Sequence, residues 1–446
     1  MKCNYVGKLA ATLLGGAMLM CGASTSHAQV SRSLDDSFPA GASGRISDES
    51  TIRPTSYLDE TAASGGSASG SSAAASSSAS RYVPSSYTPS NRNYARGEYL
   101  QWWIQGNSTP PLVTTSTPGT ARANAGVLGL NSTTVLVGGD ALDDGLRFGG
   151  RLTLGHWFDD GQMTGIEFSL MGLGGDDTNI NFASNGAPIL ARPFFNQNLN
   201  QQDAQLAAFP GVVTADQLSV MTDSEFYSAN ILLRHNWRTG SHGHIDLIGG
   251  YRYARFGEGL LITEDLTVVD PGAGVPVGTT FDIQDRFDAS TDFHGGEIGM
   301  ITEFYHGPVS FSFLTKLAIG GVRQRVVIDG STTVTQPNTP PVTTDAGLLA
   351  LPSNSGTFTN NEFALLPELN ATATYQVSSC LAITLGYNLL YLTEAVRTGD
   401  QIDTTLDLTQ IPPNGAAVGP LTRPIANIQS TSLWAQGISV GAELSF

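Results

Sequence analysis

Between Tyr94 and Phe446 ten stretches alternate apolar and polar residues with a period of two, each about as long as a tilted strand needs to cross a bilayer. They fall near 94–104, 146–158, 163–174, 224–237, 243–257, 293–305, 309–328, 362–376, 380–396 and 433–446. In the second, Leu146, Phe148, Leu152, Leu154 and Phe158 share one face, and Arg147, Arg151 and Thr153 the other. The third sets Ile166, Phe168 and Leu170 against Glu167 and Ser169. The seventh sets Val309, Phe311, Phe313, Leu317 and Ile319 against Ser310, Ser312 and Lys316, and the ninth sets Leu381, Ile383, Leu385, Leu389 and Tyr391 against Thr384 and Asn388. One face of each strand suits lipid and the other water.

A soluble β-sandwich also alternates, so the links between stretches decide. Long links (105–145, 175–223, 258–292, 329–361, 397–432) take turns with short ones such as Asp159-Asp160-Gly161-Gln162 and His306-Gly307-Pro308. Short turns at one end, long loops at the other and an even strand number are the features of an outer-membrane barrel with both termini in the periplasm. The pattern therefore predicts an all-β, transmembrane, antiparallel up-and-down β-barrel over 94–446, with short periplasmic turns and long extracellular loops. It has ten strands, or twelve if Leu260–Asp265 and Thr280–Asp285, which could form a tall hairpin, are counted apart. Aromatic residues near strand ends, among them Trp102, Trp103, Trp157, Trp237, Tyr251, Phe304, Tyr375, Tyr391 and Trp434, suit interfacial girdles. The final run places Ile438, Val440, Ala442, Leu444 and Phe446 on one face, and a terminal Phe446 resembles the signal read by the barrel assembly machinery.

With this phasing, the charges facing the lumen are Arg147, Arg151, Glu167, Arg234, Asp246, Arg252, Glu297, Glu303, Lys316, Glu368 and Glu443. Both signs are present. They can line a polar pore, or pair across the lumen and plug it, because ten strands fall between side-chain-filled barrels of eight and open channels of sixteen or more. The long link 105–145 is also long enough to fold inward.

Composition supports this reading. Only 14% of residues are charged, Gly numbers 51, and no run after residue 28 is long and apolar enough for a membrane helix. Lys2 and Lys8, the apolar stretch Leu9–Cys21 and the small residues before Ala28 read as a signal peptide, 1–28. A lipoprotein signal acylated at Cys21 is disfavoured by bulky Met20. Cleavage leaves Cys380 as the lone cysteine and moves the net charge from −17 to −19, which disfavours nucleic acid as a partner. Residues 29–93, rich in Ser, Ala and Gly, cannot bury a core and read as a flexible periplasmic tail.

The segments Gly97–Trp103, Pro110–Thr115, Thr133–Gly139, Gly149–Gly155, Ala191–Phe195 and Gly249–Tyr253 together resemble the seventh family of putative β-barrel porins, known from planctomycete bacteria. The resemblance spans about 94–446. It implies fold and outer-membrane location rather than activity, and it carries over no functional residue.

Candidate chemistry is sparse. After signal removal the histidines are His156, His235, His242, His244, His294 and His306. Only His294, with Asp288 and Asp292 close in sequence, lies near the base of an outer loop where a hydrolytic site could form. His242-Gly243-His244 lacks a third metal ligand and reads as a turn. Asp282, Asp285, Asp288 and Asp292 lack EF-hand spacing, and a solvated face is their default reading, with Ca²⁺ between loops the alternative. The glycine pairs 138–139 and 149–150 suit bulges or turns, with no helix after them to cradle phosphate. The expected function is a porin-like channel for passive diffusion of small hydrophilic solutes, with no catalytic residue, cofactor or metal. The alternatives are a structural or adhesive surface barrel with a closed lumen, and a hydrolase at the loop rim.

Overall fold

The computed structural model describes residues 91–446 apart from 176, 273 and 413–421. The expected signal peptide 1–28 lies outside the described residues, as does the 29–93 tail except for 91–93, which adjoin the barrel: the Asn91 side chain donates to the Ser445 carbonyl (2.9 Å) and Arg92 pairs with Asp160 (2.7 Å).

Ten strands form the ring: β1 Asn93–Ile104, β2 Leu146–Trp157, β3 Thr164–Leu173, β4 Val213–Gly240, β5 Gly243–Val268, β6 Thr280–His306, β7 Val309–Thr335, β8 Gly356–Gln376, β9 Leu381–Val396 and β10 Ser430–Ser445. Each pairs antiparallel with its neighbours in sequence, and β10 pairs with β1 from Tyr94↔Ser445 to Ile104↔Ala435. Asn93 and Phe446 exchange both backbone hydrogen bonds, at 3.0 and 2.8 Å, and seal the seam. A ring has no edge strand, so the wall satisfies its backbone groups internally, as a hydrocarbon surrounding requires.

The outward face carries the apolar set that alternation assigns to lipid, including Phe148, Leu154, Phe168, Ile231, Leu247, Ile298, Phe311, Leu369, Leu385 and Val440. Trp237, Phe304 and Tyr375 are exposed at the turn end, with Tyr251 and Tyr391 toward the loop end, as interfacial girdles should be. Trp102 and Trp157 do not belong to a girdle. Both are buried inside the ring, where the guanidinium of Arg151 lies 5.7 Å from the Trp102 ring and that of Arg234 lies 5.0 Å from Trp157.

Strands β4 to β7 are 28, 26, 27 and 27 residues long. At about 3.3 Å per residue and a tilt of roughly 40° they reach about 65 Å, far beyond an apolar band of about 25 Å. The expected tall hairpin is therefore the far end of β5 and β6, paired through Leu260↔Phe287 and Glu264↔Ile283. These extensions belong to strands already counted, which makes the number ten.

Past the membrane band the inward face of the tall strands turns apolar, with Leu218, Val220, Leu260, Ile262, Ile283, Phe287, Val326 and Ile328 buried in one cluster. The long links fold onto it. A small sheet of Val113–Ser116, Thr133–Val137, Ile189–Asn196 and Gln201–Ala208, joined by Thr405–Leu406, adds Leu112, Val113, Val137, Leu190 and Phe194 to the same cluster. Leu348, Leu349 and Leu351 enter it from the link after β7.

Gly138 fixes one corner of this lid. Its φ is +82°, and a Cβ there would lie 2.2 Å from the Pro110 carbonyl oxygen. Gly138→Ala is expected to loosen the lid while the barrel persists. Limited proteolysis should then cut within 105–145 in the variant and not in the wild type, with heat-modifiable migration of the barrel unchanged.

Candidate functional site: the barrel lumen

The inward residues stack in levels along the barrel axis. Nearest the turns, Arg234 binds Asp246 (2.5 Å) and approaches Glu167 (3.8 Å), and the Tyr94 hydroxyl donates to Glu167 (2.5 Å). Arg96 pairs with Glu443 (2.5 Å). His244 stands 3.3 Å from Asp246 and 3.7 Å from Glu303, so it belongs to this level and not to the turn that its sequence context suggests.

The next level holds the charges that cross the lumen. Arg252 on β5 pairs with Glu297 on β6 (2.9 Å) and with Glu368 on β8, and Lys316 on β7 lies 3.3 Å from both carboxylates. Arg151 on β2 reaches Glu98 on β1 (3.6 Å), Glu368 (3.9 Å) and the Asn388 amide oxygen on β9 (3.0 Å). Strands β5 and β8, and β2 and β9, are not neighbours, so these contacts span the interior. Three cations meet three anions. The exposures of Arg252, Glu297, Lys316 and Glu368 are 1%, 1%, 5% and 4%, so these side chains pack against one another and fill the lumen at this level.

An apolar level follows, in which Leu100, Trp102, Phe226, Phe256, Phe293, Leu366 and Leu390 meet inside the ring. Above it Arg397, from the link after β9, reaches Glu258 on β5 with contacts of 2.6 and 2.9 Å and also donates to the Gln105 carbonyl (2.9 Å). Asp403 pins that link by accepting from Arg423 (2.7 Å) and the Ile425 backbone N–H (3.0 Å). Burial pushes the Asp403 carboxyl up, but the backbone N–H groups of Ile425 and Thr405 together with Arg423 hold it below the usual carboxylate range. Inside the lid, Arg192 bridges Glu264 (2.6 Å) and Asp285 (2.7 Å), all three buried. Asp285 also accepts from the backbone N–H groups of Leu349 and Ala350 (2.9 and 2.8 Å).

Ten of the eleven charges assigned to the lumen thus lie in the two charged levels nearest the turns. Arg147 stands apart, toward the loops, where it bonds to Ser224 and to the Asp143 carbonyl (3.1 Å). Alternation extended to β1 would have added Arg96 and Glu98, which share a face with Leu100 and Trp102. Arg192 and Arg397 lie in links without periodic pattern. Arg192 meets Glu264 and Asp285, which stand near each other on the inward face of the tall hairpin, and Arg397 meets Glu258.

The other candidates are not brought together. His294 faces outward, accepting or donating at 2.6 Å with the Tyr251 hydroxyl, while Asp292 is engaged by Tyr253 (2.8 Å). Asp285 points inward and Asp282, Asp288 and Asp292 do not share its face, so the four form no calcium site. Among the described residues no group of three or more His, Cys, Asp or Glu stands close enough to hold a metal.

Taken together these features define a transmembrane ten-stranded barrel with a filled lumen and a lid of loops. The chain belongs to the family described as Putative beta barrel porin-7, whose model matches residues 94–446. No curated protein sequence matches it. Similar solved structures include the outer membrane protease OmpT from Escherichia coli, 9% identical, with a TM-score of 0.34 over 80% of this chain and 98% of that one. A Pseudomonas aeruginosa FadL homologue is 8% identical, TM-score 0.22, over 80% and 93%, and the P. putida toluene transporter TodX is 9% identical, TM-score 0.19, over 80% and 91%. At these scores none of the three bears on what this chain does.

Truncating one member of the central network leaves its buried partners short of a counter-charge. Arg252→Ala is expected to lower stability by about 3–5 kcal/mol, because Glu297 and Glu368 then share Lys316, with Arg151 at 3.9 Å from Glu368 as the remaining cation. Urea titration of the refolded barrel, read as the loss of heat-modifiable migration, checks this, and an unchanged midpoint would speak against it.

Proposed function

We propose that this protein is an outer-membrane channel of the porin class that rests closed and passes small hydrophilic solutes when its luminal network separates. The observation that carries the reading is the central set of Arg151, Arg252 and Lys316 against Glu98, Glu297 and Glu368. A buried ion network is weak evidence for stability, since well-packed apolar residues usually serve as well or better. A lumen kept charged at this level suits polar solutes and offers a gate that opens by exchanging partners. In this reading the signal peptide 1–28 exports the chain, the barrel assembly machinery reads Phe446, the short turns face the periplasm and the lid faces outward.

A structural or adhesive surface barrel is the second reading. It is favoured by the apolar level above the network and by the lid, where segments 110–115, 133–139 and 191–195 meet.

Single-channel recording in planar bilayers separates the two. The channel reading expects rare wild-type openings that become roughly tenfold more frequent in Arg151→Gln, which releases the links from β2 to β8 and β9. Silence of both proteins over the whole voltage range, with insertion verified, leaves the structural reading.

A further inference from the structure

Arg323 and Arg325 are exposed on the outward face of β7, flanked by buried inward residues Val322, Gln324 and Val326. Neither has an ion pair or a side-chain hydrogen bond among the described residues. Their basic neighbours on the wall are engaged: Arg255 with Glu225 and Asp292 (both 3.4 Å), and Arg286 with Asp288 (2.9 Å). Asp292, directly across the β6–β7 ladder from Arg323, is taken by Arg255 and by the Tyr253 hydroxyl.

Their height on the wall gives these free guanidinium groups a meaning. On the same face of β7 the residues from Phe311 to Gly321 are Phe311, Phe313, Thr315, Leu317, Ile319 and Gly321, the lipid-facing row. Ten steps of about 3.3 Å at a tilt of roughly 40° span about 25 Å, the height of the apolar band of an outer-membrane barrel. Arg323 is the next outward residue, and Arg325 the one after. Below them Gly321 offers no side chain, and beside it on β8 Phe363 is 66% exposed, an apolar surface for acyl chains. Two guanidinium forks with no acid partner among the described residues thus stand where headgroups of the loop-side leaflet begin, on a chain whose net charge is −17. Arg binds phosphate through paired N–H donors, and it does so best at the edge of a low-dielectric layer.

We infer that Arg323 and Arg325 form a docking site for a phosphate-bearing lipid of the loop-side leaflet, the phosphate held by the two guanidinium groups and a chain lying over Gly321 beside Phe363. The inference rests on the membrane orientation proposed above and is independent of whether the lumen conducts. Outward of the apolar band, a carboxylate pair can hold an arginine such as Arg255 in place. At Arg323 and Arg325 no acid among the described residues does so, and the lipid supplies the anion.

The test uses the full mature chain refolded in neutral detergent, with native mass spectrometry reading bound lipid. The probes are phosphatidic acid, a galactosyl diacylglycerol with the same chains and no phosphate, and inorganic phosphate as competitor. Wild type is expected to retain phosphatidic acid roughly tenfold better than the galactolipid. Arg323→Ala with Arg325→Ala should remove that preference, and Arg323→Lys with Arg325→Lys should restore part of it. Equal retention in wild type and the double alanine variant overturns the site. Displacement of the lipid by inorganic phosphate at matched concentration also overturns it, since the site would then be one for free phosphate. Heat-modifiable migration and insertion into vesicles serve as controls. A chain that fails to insert brings down the membrane reading itself, whereas an inserted barrel with no arginine-dependent retention brings down this inference alone.

Discussion

Closing ten strands into a ring with no free edge is the constraint on which the rest depends. Hydrocarbon offers no hydrogen-bond partners, so every backbone group in the wall must bond to the next strand. The reciprocal bonds between Asn93 and Phe446 complete that circuit. A ring of this size then encloses a narrow, low-dielectric space, and any charge placed in it must find an opposite charge across the lumen. The stacked levels follow: ion pairs by the turns, a balanced network of three cations and three anions, an apolar layer, and the arginines delivered by loops.

The unequal strand lengths build the lid. Strands β4 to β7 run well beyond the apolar band, and their inward faces past it carry Leu218, Ile262, Phe287 and Ile328 where a pore mouth would carry polar groups. Exposed apolar surface of this extent calls for a cover. The small sheet formed by the long links provides it, and Arg192, reaching Glu264 and Asp285, fixes the cover to the wall.

Much of this was legible in the sequence, because a wall between lipid and a lumen imposes a period of two that survives without knowledge of neighbours. The strand set and the closure at Phe446 follow from that period and from the alternation of link lengths. The partners of the luminal charges were not legible. Which cation meets which carboxylate depends on how β5 faces β8 across the ring, a relation with no trace in local sequence. The girdle assignment failed at Trp102 and Trp157 for a related reason: an aromatic near a strand end can face either way, and both lie on the face that stacks against a luminal arginine. Of the lid, only the inward fold of the link 105–145 was foreseen; its sheet was not, since strands such as Val113–Ser116 are too short for periodicity to register.

A lumen sealed at the level of the charge network shields its inward side chains, and cysteine accessibility measures this directly. Ser439, 1% exposed, accepts a hydrogen bond from the Asn388 side chain (3.2 Å) inside the ring. In a Cys380→Ser background, Ser439→Cys should resist a small charged thiol reagent added to the inserted barrel, while a cysteine at exposed Ser241 reacts at once. Labelling of the two positions at the same rate would mean that water and solutes already pass through the barrel, and would contradict the closed lumen.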